Sequence, residues 1–363
     1  MEVTQNETDR LPLKVGLIGC GRIGTYTRPE IRKSVPSGWL PHSHAEAINT
    51  NDRLRLVSLC DTYEPNLSKA SDMYNIQSSF DNYQNLILDT APDIISVATR
   101  TSNRCEIIQF AAANGVKGIH LEKPISTNMY DCKATLVTVE MNNVALTYGT
   151  TRRFMDIFKK AKEIVCSGDI GDIVEITVEF GESMLMWDHP HSVDLLIFIS
   201  NSYKVDSVQG TCRDSNSSFK GNLLDDDPIV EKAHIKFEDG VTGIIESRPG
   251  KNLRVQGTHG TVTVLNNGSN LIVHNKNGEK TIDLSDIDIS PSMSGRERAF
   301  HELEQAIYNN TPKITSIQPN EIELNQNILL GIVLSSLNGG FPVALSDVDD
   351  KFAVSGKFGH LYA

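Results

Sequence analysis

The chain has 363 residues, of which 39% are hydrophobic, and this length favours two domains over one. Its 34 basic and 46 acidic side chains give a net charge of -12, which disfavours nucleic acid or an anionic membrane surface as the main partner. The N-terminus is polar and the longest apolar stretch, 328–337, is too short to cross a bilayer, so we expect a cytoplasmic protein without a membrane anchor. The six cysteines are scattered without a C-x-x-C pair, which indicates reduced thiols.

The first predicted strand, 14–18, runs into a turn with the spacing G-x-G-x-x-G. Gly19 would allow the tight reversal, Gly21 would let a pyrophosphate approach the backbone, and Gly24 would let helix and strand pack closely. Arg22 and Ile23 complete this turn, which would place phosphates at a helix N-terminus. Taken alone, the triplet fits an ordinary glycine-rich turn equally well.

Further strands are predicted at 54–60, 94–98, 116–121 and 144–148, with helical stretches between them. This alternation predicts a parallel sheet covered on both faces, and hence an NAD-binding Rossmann domain over 13–150 after a flexible N-terminus at 1–12. Asp61 follows the second strand, where a carboxylate accepts the ribose hydroxyls and repels a 2'-phosphate, so NAD is favoured over NADP. The alternative is an aspartate that opens the turn at 61–65.

The pattern changes after Arg152. A helix predicted over 154–165 precedes eight short, alternating strands between 173 and 284, and two helices follow at 296–308 and 319–337. We therefore expect a substrate-binding and oligomerisation domain of the α+β class over 151–345, with a large, open, mostly antiparallel sheet, and a tail at 346–363. The polar run 213–228 is predicted to be a mobile loop.

Several short motifs together resemble one family. They are the G-C-G-R-I-G turn, Asp61, Ala98-Thr99, Glu122-Lys123-Pro124, Arg152-Arg153-Phe154, the S-G-D-I-G-D-I stretch from Ser167, and His191 with Asp194. The chain resembles the glucose-fructose oxidoreductase, inositol dehydrogenase and rhizopine catabolism (Gfo/Idh/MocA) oxidoreductase family over nearly its whole length. The E-K-P triplet combined with a downstream H-x-x-D is a fairly specific pair.

The resemblance implies a dehydrogenase that moves hydride between NAD and a ring hydroxyl or keto carbon of a sugar, a sugar derivative or a cyclitol. It places Lys123 and His191 in the proton chemistry and a cis peptide before Pro124. The implied cofactor contacts are Gly19, Gly21, Arg22, Ile23, Gly24, Asp61, Thr99, Glu122, Lys123 and Pro124. The implied substrate contacts are Arg153, Trp187, Asp188, His189 and Asp194. The alternatives are a surface lysine at a strand end for Lys123 and a hydrogen-bonded core histidine for His191.

The segment before His191 departs from the family motif D-x-G-x-H-x-x-D. Trp187 occupies the usual aspartate position, Asp188 follows it, and His189 replaces the glycine. Either Asp188 fills the aspartate role or the substrate contact is rebuilt, and His189 is a competing proton carrier. Asp188, His189, His191 and Asp194 are also a chemically plausible metal cluster, although the family uses none.

A second departure is an insertion at 25–43, between Gly24 and His44. Its prolines prevent one unbroken helix. We expect it either to form part of the substrate pocket, through Arg28, Trp39 and His42, or to be a peripheral excursion. Two further cations, Arg100 and Arg104, follow the third strand and suit an anionic substrate such as a phosphate, uronate or nucleotide sugar, or else are solvated.

The open sheet also predicts an oligomer, because exposed sheet faces usually need a partner. We therefore expect a homodimer or homotetramer. Two other functions stay open: a non-catalytic regulator that senses NAD and a sugar, and an epimerase or glycosidase that recycles a bound cofactor.

Overall fold

The computed structural model describes residues 11–214, 219–283, 286–287 and 293–356. A six-stranded parallel sheet lies in the first half of the chain, with the strand order 3-2-1-4-5-6. Its strands are β1 (Leu13–Ile18), β2 (Leu54–Cys60), β3 (Ser79–Phe80), β4 (Ile94–Val97), β5 (Gly118–Leu121) and β6 (Ala145–Tyr148). The strand order reverses at β1, which pairs with both β2 and β4. The predicted Rossmann sheet is thereby confirmed, and its ligand crevice lies at this reversal.

Helices connect these strands, and the first connection is broken into pieces. The helices are α1 (Arg22–Thr25), α2 (Pro29–Ser34), α3 (His44–Asn49), α4 (Glu64–Tyr74), α5 (Tyr83–Thr90), α6 (Arg104–Ala113) and α7 (Met129–Met141). The prolines at 29, 36 and 41 explain why three short helical pieces with a 3-10 turn replace one helix. Every residue of β4, β5 and β6 is buried, as expected for strands covered on both faces.

The second half of the chain forms a nine-stranded sheet. Helices α8 (Asp156–Cys166) and α9 (Leu185–Ser200) flank its first strands. Its strands are β7 (Ile173–Glu179), β8 (Ser183–Met184), β9 (Val205–Arg213), β12 (Ile229–Phe237), β13 (Thr242–Glu246), β14 (Asn252–Gly257), β15 (Thr261–Leu265), β16 (Asn270–Asn275) and β17 (Gly278–Ile282). All pairs are antiparallel except β7 with β13, which confirms a mostly antiparallel sheet.

The closing helices join the two sheets. They are α10 (Gly295–Tyr308) and α11 (Pro319–Leu337), at the predicted positions. Helix α10 follows the second sheet in sequence but packs against β5 and β6 of the first, and its Phe300 and Leu303 share a core with β1. Helix α11 lies against β9 and α9. The two halves of the chain therefore pack through helices that cross from one sheet to the other.

The predicted loop at 213–228 is partly wrong. It contains β10 (Phe219–Lys220) and β11 (Leu223–Leu224), and β11 pairs with β18 (Ala353–Val354) near the C-terminus. Backbone pairing with a distant segment is not visible in local composition. The parts of our predictions at 1–10, 215–218, 284 and 357–363 lie outside the described residues. Among the described helices, none combines the length and the apolar content needed to cross a membrane.

Candidate active site

The glycine turn after β1 is closely packed on one side and open on the other. Gly19 has a φ of +98°, and a side-chain carbon there would lie 2.7 Å from the carbonyl carbon of Ala98. A side-chain carbon at Gly24 would collide with the carbonyl oxygen of Gly19, whereas one at Gly21 would meet no atom within 4 Å. The turn thus requires glycine at 19 and 24 for internal packing, and its backbone is accessible at Gly21.

The geometry of this turn fits NAD. Helix α1 begins at Arg22 with no side-chain cap, so the amides of Arg22, Ile23 and Gly24 lie in a first turn that has no intrahelical acceptors. Asp61 lies beside the turn, where one carboxylate oxygen accepts from the Cys20 amide at 2.7 Å and the other from the Tyr63 amide at 2.8 Å. A carboxylate at this place can exchange one of these bonds for the adenosine ribose hydroxyls.

The E-K-P triplet follows β5 directly and is held by Arg104. The peptide bond between Lys123 and Pro124 is cis, as the resemblance implies. The buried guanidinium of Arg104 donates to the carbonyl oxygens of Thr99 and Pro124, from Nε to Thr99 at 3.1 Å. These bonds link the ends of β4 and β5, and they leave the predicted anion-binding role of Arg104 without support. Arg100 is exposed.

Glu122 faces the protein interior. Its Oε1 lies 2.9 Å from Nη1 of Arg296 and 3.2 Å from Nε2 of His44, and Arg296 also contacts His120 at 3.1 Å. Burial raises the pKa of Glu122, but Arg296 and His44 outweigh it and hold that pKa well below its usual range. Glu122 is therefore charged and anchors the backbone on which Lys123 stands.

Lys123 and His191 converge from the two halves of the chain. Lys123 lies at the end of β5, where its Nζ donates to the carbonyl of Trp187 and stands 4.7 Å from the centre of the Trp187 ring. Burial lowers the pKa of Lys123, and nearby Glu122 offsets part of that shift. His191 lies on α9, and the nearby Lys123 ammonium is one of the groups that perturb its imidazole.

The imidazole of His191 is neutral and carries a free polar atom. Burial lowers its pKa well below the usual value, and Arg152 and Lys123 lower it further. Its Nδ1 is buried without a hydrogen-bond partner among the described residues. A neutral imidazole with an unused nitrogen is suited to accept a proton from a bound hydroxyl group.

Asp188 and His189 differ sharply in their surroundings. Asp188 accepts from Lys251 Nζ at 2.8 Å and from Ser183 Oγ at 2.8 Å, and its charge also acts on Lys123 and His191. Although burial raises the pKa of Asp188, Lys251 lowers it well below the usual range. His189 is fully buried, and its two nitrogens lie 3.0 Å from Ser192 Oγ and 3.2 Å from the Ser183 carbonyl. Of the two, Asp188 is the one that shares the site with Lys123 and His191.

Arg153 and Asp194, which we expected to contact substrate, are sealed inside the protein. Arg153 is 0% exposed and Asp194 1% exposed. Arg153 Nη2 lies 2.7 Å from Asp194, while its Nη1 lies 3.1 Å from Glu321 and 2.8 Å from the Ser316 carbonyl. Side chains without accessible surface cannot touch a substrate unless the protein rearranges. Their ion pairs instead connect α9, which carries Asp194, with α11, which carries Glu321.

Two residues that sequence reasoning missed lie beside the site, Arg152 and Lys251. Arg152 is 4% exposed, stacks 4.4 Å from the centre of the Phe180 ring, and is close enough to lower the pKa of His191. Lys251 stands 4.7 Å from the same ring centre. The adjacent arginines Arg152 and Arg153 were a sequence signal for the site. Only packing shows that Arg152 lies beside His191, whereas Arg153 is buried against Asp194 and Glu321. Lys251 lies in a turn about sixty positions after His191 and carried no local signal.

The insertion at 25–43 reaches this region through Trp39. Its Nε1 donates to the Asn267 carbonyl at 2.9 Å, and its ring centre lies 4.8 Å from the Arg152 guanidinium. His42 lies behind it, 6.0 Å from the Trp39 ring centre, while Arg28 is exposed. Among the described residues, no group of three or more His, Cys, Asp or Glu side chains is arranged to hold a metal ion.

Comparisons with known proteins agree with this geometry. Residues 13–150 match a family model described as GFO_IDH_MocA, an oxidoreductase family with an NAD-binding Rossmann fold. Myo-inositol 2-dehydrogenase of Thermotoga maritima is 30% identical over 44% of this chain and 42% of its own length. The NAD-dependent scyllo-inositol 2-dehydrogenase of Bacillus subtilis is 24% identical over 95% of this chain and 98% of its own.

The fold is also shared with solved structures. Aldose-aldose oxidoreductase from Caulobacter crescentus, solved with glycerol, superposes with a TM-score of 0.74 at 16% identity, covering 92% of this chain and 99% of that one. The chain spans less than half of the Thermotoga relative it matches, so the family assignment depends mainly on the first domain. Residues 13–150 therefore match the NAD-binding Rossmann domain of the Gfo/Idh/MocA oxidoreductase family.

Proposed function

We propose that the protein is an NAD-dependent dehydrogenase that acts on a ring hydroxyl or keto carbon of a sugar, a sugar derivative or a cyclitol. The observation that carries this proposal is the convergence of Lys123 and a neutral His191 at the carboxyl edge of the parallel sheet. The dehydrogenases among its relatives, which include a D-apiose dehydrogenase of Rhizobium rhizogenes, support the substrate class.

Bound NAD supplies a hydride-accepting nicotinamide, so that a CH–OH group becomes C=O with the release of one proton. The Lys123 ammonium donates a hydrogen bond to the reacting oxygen and stabilises the negative charge that develops there. His191 accepts the hydroxyl proton because its imidazole is neutral and its Nδ1 is unused. Asp188 stabilises the imidazolium that forms, since its carboxylate acts on both groups.

The ring of Trp187 gives this site an apolar wall. Its side chain is 43% exposed and stands beside Lys123. Aromatic faces pack against the C–H faces of sugars and cyclitols, so we assign Trp187 to substrate orientation. His189 has no such access, because both of its nitrogens are used within α9 and the adjacent strand.

The test is NADH formation at 340 nm with panels of cyclitols and sugars, comparing wild type with Lys123→Met. We expect turnover in the wild type and a loss of at least a hundredfold in the variant, with unchanged NAD affinity by calorimetry. Lys117→Met is the matched control, since Lys117 precedes the same strand and its side chain is 59% exposed in a pair with Asp93. NAD binding without turnover of any panel member would favour the regulator, and NADH already bound to the purified protein would favour a recycled cofactor.

We also propose that the protein is a homodimer or homotetramer assembled through the nine-stranded sheet. Helices α8, α9 and α11 lie against this sheet, and the opposite face presents alternate residues such as Ile244, Ile272 and Thr263. These side chains are partly exposed, and a sheet face of this size usually has a partner. Light scattering during size-exclusion chromatography measures the state, and a monomer at micromolar concentration would contradict the proposal.

A further inference from the structure

The charges around the reaction site are unbalanced. Three cationic side chains, Lys123, Arg152 and Lys251, lie around the carboxylate of Asp188. Burial lowers the pKa of Arg152 to about 10, so its guanidinium is still charged near neutral pH. With His191 neutral, this group of four charged residues carries a net charge of about +2 near pH 7.

Among the neighbouring carboxylates, Asp227 acts on Lys123 and offsets one of these positive charges, whereas Glu122 and Asp194 have cationic partners of their own. Glu122 is paired with Arg296, and Asp194 shares Arg153 with Glu321. A buried cation that lacks a partner is unfavourable in a site of low dielectric constant. The excess therefore favours an anionic group on a bound molecule.

The hydrogen-bond donors of Arg152 are arranged to bind an anionic group. Its Nε and Nη2 donate to Asn267 Oδ1 at 3.0 and 2.7 Å, and its guanidinium carbon lies 4.8 Å from the Trp39 ring centre and 4.4 Å from the Phe180 ring centre. Its Nη1 is buried and has no hydrogen-bond partner among the described residues. A guanidinium fixed on one edge with an unused donor on the other is a recognition group for an oxyanion.

Lys251 is oriented toward the same place by Asn267. The backbone N–H of Asn267 donates to the carbonyl oxygen of Lys251 at 3.0 Å. Lys251 has a φ of +53°, which is uncommon for a residue other than glycine. Its Nζ has three donors, of which one is used on Asp188 at 2.8 Å. The guanidinium carbon of Arg152 and Nζ of Lys251 lie 4.4 and 4.7 Å from the centre of the Phe180 ring, so both cations border the same ring.

We propose that the substrate carries a carboxylate, bound by Arg152 Nη1 and Lys251 Nζ, next to the hydroxyl that reacts beside Lys123 and His191. This inference rests on the proposed dehydrogenase function and narrows its substrates to sugar acids, of which hexuronates are the simplest. Two separate donors match the two oxygens of a carboxylate, whereas a phosphate with three oxygens and a larger charge calls for more donors.

The experiment compares substrates that differ only at C6, using D-galactose, D-galacturonate and D-galactose 6-phosphate, and the three corresponding glucose compounds. We expect the highest kcat/KM for a uronate. We expect Lys251→Met to lower the ratio of kcat/KM for the acid to that for the neutral sugar by about tenfold or more. The control is Lys276→Met, in the exposed turn between β16 and β17, which should leave the ratio unchanged. If Lys251 only held Asp188 in place, the variant would lower kcat/KM for the acid and for the neutral sugar by the same factor.

Two kinetic results would overturn the inference. One is a wild-type preference for the neutral sugar or the phosphate, and the other is an unchanged ratio in Lys251→Met. Either would leave the dehydrogenase proposal intact, provided that NADH forms.

Calorimetric titration of the uronate, with and without NAD, separates the two proposals when no NADH forms. Binding that weakens in Lys251→Met supports the carboxylate site and overturns the dehydrogenase. No binding of the uronate overturns the carboxylate site as well.

Discussion

Replacing Arg296 by methionine tests whether the interior ion pair supports the reaction site. Arg296 lies on α10 and its side chain is 3% exposed, while Glu122 is 7% exposed and precedes Lys123. The substitution keeps a long apolar side chain but removes the guanidinium 2.9 Å from the carboxylate. Glu122 then retains the Lys123 backbone N–H, 3.3 Å away, and His44, 3.2 Å away, whose pKa of about 4 in the wild type keeps it neutral near pH 7.

The expected loss follows from leaving one charge of a buried pair without its partner. Such a change costs about 3–5 kcal/mol, a large share of the total stability of a typical protein. For a domain of this size it corresponds to a fall of about 10 °C in the unfolding midpoint. The pKa of Glu122 should rise at the same time, because Arg296 is the strongest group that lowers it. The loss should therefore be smaller at pH 5 than at pH 7.5.

The assay is chemical denaturation at both pH values, for the wild type, Arg296→Met, Glu122→Gln and the double variant. The double variant should lose about 2 kcal/mol less than the sum of the single changes. Lys160→Met is the control, because its pair with Glu163 is exposed and should be worth less than about 0.5 kcal/mol. Additive losses in the double variant, or an equal effect for the control, would refute the view that this pair is energetically coupled.

Three further results are expected. Stability should fall as the pH drops below about 6.5, because burial lowers the pKa of three histidines to about 4. Between these pH values the unfolded chain binds protons that the folded chain does not. Denaturation between pH 7.5 and 5 measures the change in the free energy of unfolding, and a flat profile would contradict it. These histidines are His42, His44 and His189. Asp61→Ser should reduce the preference for NAD over NADP at least tenfold, since the carboxylate no longer repels a 2'-phosphate; an unchanged ratio of the two dissociation constants would argue against this placement. Arg104→Met should lower the free energy of unfolding by about 3 kcal/mol, because two carbonyl oxygens lose a charged donor. Arg100→Met, at an exposed position, should change it little. Equal unfolding midpoints for the two variants would show that the Arg104 bonds contribute less than their geometry suggests.

Local patterns determined much of the first domain. The strand-to-glycine turn, the acidic residue after β2 and the E-K-P triplet after β5 lie where local spacing placed them, because in a parallel sheet each functional residue follows a strand end. The prolines of the insertion also predicted its broken helices, since proline disrupts a helix through its own backbone. These features depend on residues that are close together in the sequence, so local patterns predict them.

Only the tertiary structure decided which charged residues face the site. Arg152 and Arg153 are neighbours in sequence, yet one has an unused donor beside His191 and the other is buried between Asp194 and Glu321. Asp188 and His189 separate in the same way, and Lys251 and Asn267 reach the site from distant turns. Side chains one residue apart can point to opposite environments, and long-range packing selects between them. That selection depends on contacts between both halves of the chain, which no local pattern contains.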